Sequence, residues 1–297
     1  MEKKLQSQLK NADEIKQILR EVEFTHTLSD GTAVNTLLVY LPIKDGKSSH
    51  DEFFDEIKKG ILTNFVLSCK EIEEKLGLKN PRSPESLFKK SVNFLHTHTA
   101  QGDLGELILF TLMDVYIGAP KLISKISMKG AAGMSALGAD AVHGQYIDGT
   151  FKVFLGESKL HKKFKPAARA AAKSMKSAQD KYKHELNLID SNLDFPGITP
   201  ETKAELMELL DPWADNDLSD VIHSPCFIGF TQPEIMTDEV QFIEKYKGKA
   251  TDYIEDFYLK LQKKELSCDK TILLMLPFTC LKQLTAEFIT YMGIANE

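Results

Sequence analysis

The chain has 297 residues, of which 42% are hydrophobic and 27% are charged, and its formal net charge is −6. This composition predicts a globular protein with one large core, or a core with a subdomain, and argues against a generally basic nucleic-acid-binding protein. No apolar run reaches about 18 residues and the polar N-terminus has no secretory signal, so we expect no membrane span. The cysteines form no CxxC pair, which is typical of free thiols in the cytoplasm: Cys69, Cys226, Cys268 and Cys280.

An N-terminal α+β region is predicted for residues 1–82. Prolines interrupt the pattern at residues 79–84, and we place a subdomain boundary there, with Ser83 or Ser86 as the cap of the helix that follows. Before that break, the apolar pattern predicts a helix over residues 1–22, a strand over residues 36–41, and helices over residues 51–76 that are broken near Cys69.

Residues 83–297 are predicted to form a larger α/β domain with a mixed sheet flanked by helices. Strands alternate with helices along this stretch, which is the pattern of α/β units. Thr199 is expected to cap a helix that begins at Pro200. The predicted elements are a helix that opens near residue 102, a strand over residues 122–126, a hairpin over residues 138–160, a basic helix, strands over residues 226–230 and 271–277, and helices over residues 239–260 and 281–292.

The predicted hairpin carries the candidate chemistry. Its turn lies at residues 148–149, with Asp140 expected on the first strand and Glu157 and Lys159 at the end of the second. Gly156 would let the backbone bend or let another chain approach. Burying the glutamate and the lysine behind an apolar strand costs free energy unless they are paired or bound to a metal ion. The alternative is a structural Glu–Lys ion pair on an edge strand.

Two carboxylates and a lysine suit the hydrolysis of a phosphodiester with the help of Mg²⁺ or Mn²⁺. Mg²⁺ prefers a few carboxylate oxygens and keeps several waters. Asp140 and Glu157 would hold the ion, with the backbone carbonyl of Ser158 as a candidate third ligand. Lys159 would orient or activate the attacking water.

A basic stretch begins at this candidate metal site. Seven basic residues and no acidic residue lie between Lys159 and Lys176. Several recur at helical spacing and so share one face, from which phosphate contacts would add affinity that depends on salt and not on sequence. A solvated helix face is the alternative. The candidate DNA-binding residues are Lys162, Lys163, Lys165, Arg169, Lys173 and Lys176.

The predicted elements follow the order helix, strand, strand, strand, helix, with an acid on the first helix and then Asp140 and Glu157-x-Lys159. This order resembles the PD-(D/E)xK restriction-endonuclease-like core. The stretch GADAVHG, followed after one hairpin by LGESKLHKKF, resembles the HamA family, the nuclease subunits of the Hachiman anti-phage defence system. The upstream GDLGELIL fits the same family, and the resemblance covers residues 100–176. Ala139 stands where the superfamily name has proline, and only the aspartate that follows is expected to bind metal.

The resemblance implies a metal-dependent, largely sequence-independent DNA nuclease. A superfamily 2 helicase partner, HamB in that system, would restrain the nuclease until the partner engages DNA, and cleavage would then fall on phage and host DNA alike. The alternatives are a catalytically silent DNA-binding or helicase-docking subunit, and a stand-alone restriction or repair nuclease of the same fold.

Four further residues are candidates for this site. By the resemblance, Glu106 would complete or orient the metal ligands as a catalytic residue; otherwise it is a first-turn glutamate that the helix dipole stabilises. His96 and His98 would bind metal or position a water, or are hydrogen-bonded loop residues. His143 lies an odd number of residues after Asp140, so an unbroken strand would point it to the opposite face.

Overall fold

A computed structural model describes residues 4–78, 80–124, 126, 138–214, 218 and 220–295. Among these residues, seven strands form one sheet and two short strands form a separate hairpin, β4 (Ile43–Lys44) with β5 (Lys47–Ser48). The strands of the large sheet are β1 (Arg20–Val22), β2 (His26–Thr27), β3 (Ala33–Tyr40), β6 (Ala141–Ile147), β7 (Thr150–His161), β8 (Ile222–Thr231) and β9 (Thr271–Phe278).

The large sheet is mixed, as the sequence predicts. Its order is β1-β3-β9-β8-β7-β6, with β2 beside β3. The four central strands β3, β9, β8 and β7 run parallel to one another, whereas β1, β2 and β6 pair in the antiparallel sense at the edges. Central parallel strands are buried on both faces, which explains why residues 226–230 and 271–277 read as continuous apolar runs.

Helices cover both faces of this sheet. The α-helices in the described ranges are α1 (Ala12–Ile18), α2 (Asp51–Glu56), α3 (Leu62–Val66), α4 (Cys69–Gly77), α5 (Ser83–Val92), α6 (Ala100–Leu112), α7 (Phe164–Asp180), α8 (Tyr182–Asn192), α9 (Pro200–Leu209), α10 (Glu239–Gln262) and α11 (Leu281–Met292). A π-helical segment, Ile57–Ile61, joins α2 to α3, and another, Met113–Ile117, extends α6. One apolar core joins α2, α3, α6 and α11 to one face of the sheet, and a second joins α7 and α10 to the other. A third core lies between the β6–β7 hairpin and helices α8 and α9. The predicted α/β fold with flanking helices is therefore confirmed.

The N-terminal region contributes β1, β2 and β3 to this same sheet, and β3 pairs with β9 near the C-terminus. A division of the chain at residue 82 stays a prediction. The single helix expected over residues 1–22 is wrong, because the helix there spans only Ala12–Ile18 and β1 follows it. Upstream, the backbone N–H groups of Gln8 and Leu9 donate to the carboxylate of Asp114, so this segment is held by a side chain and not by helical hydrogen bonds.

The strand expected over residues 122–126 is also wrong. Only Lys121 forms a bridge, with His143, and the carbonyl of Leu122 accepts a hydrogen bond from the backbone N–H of Asp194. The N–H of Leu122 still donates to the carbonyl of Val142 on β6 at 2.8 Å, but its carbonyl is taken by Asp194, and the pairing extends no further as a strand. Lys125 lies outside the described residues.

Three helix ends test the predicted caps and breaks. Ser83 is the first residue of α5 and its hydroxyl donates to the carbonyl of Lys75, so neither Ser83 nor Ser86 caps that helix. Thr199 caps α9 as predicted, with its Oγ1 3.2 Å from the N–H of Thr202. The break predicted near Cys69 is confirmed between α3 and α4.

In the part of the chain that is described, no helix combines the length and the apolarity needed to cross a bilayer.

Candidate active site

The β6–β7 hairpin places the candidate carboxylates side by side. Ala141 pairs with Gly156 in the antiparallel register, and the N–H of Asp140 donates to the carbonyl of Gly156 at 2.8 Å. Asp140 thus lies directly before β6, so the prediction that it lies within a strand is wrong by one residue. Continuing the register by one step sets Asp140 across from Glu157.

A glycine fixes the entry into β6. Gly138 has a φ of +118°, and a Cβ built on it would lie 1.5 Å from Oε1 of Glu185 on α8. The same oxygen accepts a hydrogen bond from the N–H of Ala139 at 3.2 Å. Only glycine meets both demands, so α8 sets the position of the backbone immediately before Asp140.

A second glycine brings α6 close to β7. A Cβ on Gly156 would lie 2.9 Å from Cδ2 of Leu109, which confirms the predicted close approach of another segment. The amide of Gln101, in the first turn of α6, donates to the carbonyl of Leu160 at 2.8 Å. Helix α6 is therefore fixed against the end of β7, and it carries Glu106 to the same region.

The three motif residues are linked by hydrogen bonds. Oδ2 of Asp140 accepts from the N–H of Ser158 at 2.8 Å and lies 3.3 Å from its hydroxyl. Glu157 is 3% exposed and forms an ion pair with Lys159. The ammonium of Lys159 also donates to the carbonyl of Ser158 at 3.1 Å. That carbonyl, the candidate third ligand, thus already accepts one hydrogen bond, and its role as a ligand stays a prediction.

Burial raises the pKa of Glu157 to about 7, and the negative charge of Asp140 adds to the shift. Lys159 and the hydroxyl of Ser174 on α7 act in the other direction. Burial lowers the pKa of Lys159, but the charges of Glu157 and Asp140 outweigh it and leave that pKa raised. Burial and the neighbouring Asp140 therefore disfavour the ionised form of Glu157, and a cation bound between the two carboxylates would favour it.

Glu106 approaches the site from the α6 side. It is buried, and with Asp140 it lines a cavity of about 10 Å³, which is room for about one water. Glu157 and Lys159 share the opposite face of β7, because side chains two residues apart on a strand point to the same side. Ser174 on α7 is the partner of Glu157 on that face. Asp140 is thus near both acids, since it lines the cavity with Glu106 and its charge raises the pKa of Glu157.

The donor set can be compared with the demands of a metal ion. Over the described ranges, no group of three or more histidine, cysteine, aspartate and glutamate side chains is arranged to hold a metal ion. Mg²⁺, however, commonly uses one or two carboxylates and retains waters for its other positions. Asp140 and Glu157 fit that smaller requirement.

Comparison with family models decides the relationship of the chain. The HamA model matches residues 15–292, nearly the whole chain. This chain belongs to the HamA family. The match makes it a protein associated with Hachiman defence, and it extends the resemblance seen in residues 100–176 from α1 to α11. A search of curated proteins found no match.

In this HamA-family chain the basic stretch forms α7 and the residues before it. Lys165, Arg169 and Lys173 are exposed, whereas Lys176 is half-buried and pairs with Asp180 at 3.0 Å. Four small residues of the helix pack inward, Ala167, Ala168, Ala171 and Ala172, whereas Ala170 is exposed. Lys162 and Lys163 are exposed just before the helix begins. DNA binding by these six residues stays a prediction.

The histidines fall into two groups. His96 and His98 lie in the loop before α6 with their rings 5.6 Å apart, and their functional role stays a prediction. His143 is buried on β6, where its Nδ1–H donates to the carbonyl of Ala119 at 2.7 Å and its ring packs on Phe110. Burial lowers its pKa to about 4. This neutral, hydrogen-bonded state is typical of a structural histidine.

Two residues of this region were not identified from the sequence. Ser174 lies within the run of small residues on α7, where only its spacing from the buried alanines could have marked it as inward-facing. Glu185 lies in an ordinary polar stretch of α8, and no local pattern relates it to Gly138. Ser174 contacts Glu157 on β7, and Glu185 contacts the residues just before β6, so each contact joins elements that are separated in the chain.

Proposed function

We propose that this HamA-family chain is a metal-dependent DNA nuclease with little sequence preference, the cytoplasmic effector of a defence system that a helicase partner controls. The observation that carries the proposal is the pairing of Asp140 with Glu157 and Lys159 at one edge of the sheet. Burial and the charge of Asp140 raise the pKa of Glu157, which a bound cation would offset, and a basic helix begins a few residues away. Metal-assisted phosphodiester hydrolysis uses this combination of a cation site and a phosphate-binding surface.

Asp140 and Glu157 would hold Mg²⁺ or Mn²⁺, and a bound ion would polarise the scissile phosphate and offset the charge that develops there. The raised pKa of Lys159 keeps it protonated at neutral pH. It would therefore orient the attacking water as a hydrogen-bond donor rather than remove its proton. Glu106, which shares a cavity with Asp140, would order water at the opposite side.

Specificity would come from the phosphates and not from the bases. The exposed cations of α7 suit contacts to the backbone, which position DNA without reading its sequence. The net charge of −6 limits affinity for bulk DNA, which favours delivery and restraint by a partner such as the HamB-like helicase. A catalytically silent subunit and a stand-alone nuclease remain the competing proposals.

The test compares the wild type with Glu157→Gln and Lys159→Ala in a plasmid-degradation assay, with Mg²⁺, with Mn²⁺ and with EDTA. We expect each variant to lose at least about a hundredfold in cleavage rate, since each loses a group that acts on charge in the transition state. Glu56→Gln is the matched control, because Glu56 is also a buried glutamate paired with a lysine, Lys59, and it lies outside the site.

Equal cleavage by the wild type and both variants would contradict the assignment of the site. Wild-type protein that binds DNA but never cleaves it, with either metal and with the helicase added, would favour the silent subunit. Cleavage that is indifferent to the helicase and to ATP, with two separate peaks in size-exclusion chromatography after co-expression, would favour the stand-alone nuclease.

A further inference from the structure

A cleft of about 470 Å³ lies beside the start of α7, outside the group of carboxylates. Three lysines line it from the junction of β7 and α7, and a fourth comes from α10, more than 80 residues later in the chain. We call this the lysine cleft, and its cationic residues are Lys162, Lys163, Lys165 and Lys249. Lys249 was not a candidate from the sequence, because nothing near it in the chain points to phosphate chemistry.

Within the described part of the chain, the four ammonium groups have no acidic partner. None of them forms an ion pair with another described residue, whereas Lys176 on α7 pairs with Asp180 and Lys260 on α10 pairs with Asp256. Like charges that converge on one cleft repel each other, and a bound anion relieves that repulsion. The cleft is therefore arranged for an anionic ligand with more than one negative charge.

The remaining wall of the cleft is fixed and internally hydrogen-bonded. The rings of Phe164 and Tyr253 stack with centroids 4.4 Å apart and an interplanar angle of 12°. The hydroxyl of Tyr253 donates to the amide oxygen of Gln232 at 2.9 Å, and the amide nitrogen of Gln232 donates to Glu234, an acidic residue of the lining. These groups hold one another, which leaves the lysines to meet the ligand.

We propose that the lysine cleft binds the sugar–phosphate backbone of the DNA strand that leads to the candidate metal site, with Lys249 as a phosphate contact supplied by α10. The inference rests on the proposed nuclease function and extends its DNA-binding surface to a second helix. Lys162 follows Lys159 by three residues, a span of at most about 11 Å of chain. Lys162, which lines the cleft, is thus close to Lys159, and a bound strand that continues past Lys162 can reach the candidate metal site.

The cleft favours the backbone over the bases. One face of Tyr253 is covered by Phe164, and its hydroxyl is engaged by Gln232, so neither is offered to a nucleobase. Lysines contact phosphates as point charges and carry no sequence information. A strand with successive phosphates also satisfies four cations better than one inorganic phosphate does.

The first test measures the affinity of the full chain for a single-stranded DNA oligonucleotide in EDTA, over a range of salt concentrations. Lys249→Gln should weaken binding about three- to tenfold at low salt and reduce the slope of log affinity against log salt by about one. Lys247→Gln is the matched control, since it removes the same charge from the same helix at a residue that does not line the cleft. It should leave both quantities unchanged.

Competition separates the sources of phosphate. DNA backbone binding predicts that inorganic phosphate and ATP displace the oligonucleotide only at concentrations that act through ionic strength. Displacement by micromolar ATP, lost in Lys249→Gln, would instead assign the cleft to a nucleotide and overturn the proposal. Equal affinities and slopes for the two lysine variants, or no DNA binding by the wild type at low salt, would also overturn it.

A second measurement needs no substitution. Amine-reactive labelling of the wild type, read out by mass spectrometry, should show that DNA protects Lys249 and not Lys247. Because both measurements are made without metal and without turnover, they do not depend on cleavage. If the wild type cleaves DNA but DNA protects Lys249 and Lys247 equally, the proposal that the lysine cleft binds DNA is refuted and the nuclease proposal stands. If DNA protects Lys249 but the protein never cleaves DNA, the lysine cleft stands and the nuclease proposal is refuted.

Discussion

Two clusters of buried and half-buried charged side chains lie close to α6, and their charges are compensated in different ways. One cluster is Asp114 with Lys121, near the end of α6, and the other is Asp140 with Glu157 and Lys159. Both take charged groups out of water, which costs several kcal/mol per ion unless partners compensate. The nature of those partners separates a structural role from a functional one.

In the first cluster the backbone supplies the partners. The carboxylate of Asp114 accepts from the N–H groups of Gln8 and Leu9, at 3.0 and 2.9 Å, and from the hydroxyl of Ser7. Lys121 donates to three carbonyls at the end of α3 and just after it, those of Asn64, Phe65 and Leu67. Burial lowers the pKa of Lys121 to about 8. Asp114 thus holds the N-terminal segment in place, and Lys121 satisfies the carbonyl groups at the C-terminal end of α3.

In the second cluster two carboxylates face one ammonium group. Asp140 has a backbone N–H as a partner, but Glu157 depends on Lys159 and Ser174, and burial together with Asp140 raises its pKa. A cluster that the fold leaves short of positive charge is a candidate for a ligand that brings it. The comparison therefore predicts different responses to the loss of a carboxylate, to pH and to divalent ions.

The largest effect is expected from Asp114→Ala. Removing this carboxylate leaves two buried N–H groups without an acceptor, so we expect the free energy of unfolding to fall by about 3–5 kcal/mol. Denaturation with urea measures this, and Asp252→Ala, an exposed acid on α10, should change stability by less than about 0.5 kcal/mol. Cleavage per folded molecule should be retained. A loss no larger than that of the control would show that the N-terminal segment is not held by this contact.

A smaller effect is expected from the pH dependence of Glu157→Gln. Because the pKa of Glu157 is raised to about 7 in the folded protein, its protonated form stabilises the fold at low pH, and this contribution is lost as pH rises through 7. Without divalent ions, the variant should gain about 2–3 kcal/mol on the wild type between pH 4 and pH 8. The titration of His143 also changes stability with pH, but it contributes equally to both proteins and so cancels in the difference between them. Parallel stability curves would mean that the surplus negative charge is already compensated.

The smallest effect is the response to divalent ions. Mg²⁺ or Mn²⁺ at ten times its Kd should stabilise the wild type by about 1.4 kcal/mol, visible as an increase in Tm. Glu157→Gln and Asp140→Ala should lose this increase, whereas Glu56→Gln should keep it. An equal increase in all four proteins would assign the stabilisation to ions bound elsewhere.

Local sequence patterns predict the elements whose hydrogen bonds are local or whose strands are buried on both faces. The hairpin turn at residues 148–149, the cap at Thr199 and the strands β8 and β9 all follow from such patterns and are confirmed. The failures at residues 1–22 and 122–126 have one cause. In both segments backbone groups bond to partners far away in the chain, Asp114 for the first and Val142 and Asp194 for the second, which outweigh local propensity.

The sequence by itself determined the family, the α/β class and the motif Asp140, Glu157 and Lys159, because a hairpin and a strand end are encoded by neighbouring residues. Only the tertiary structure decided what surrounds that motif. The approach of α6 at Gly156, the hydroxyl of Ser174 and the lysine cleft with Lys249 join segments separated by tens of residues. Such contacts follow from how the helices pack on the sheet, and local hydrophobic periodicity does not specify how a whole core packs.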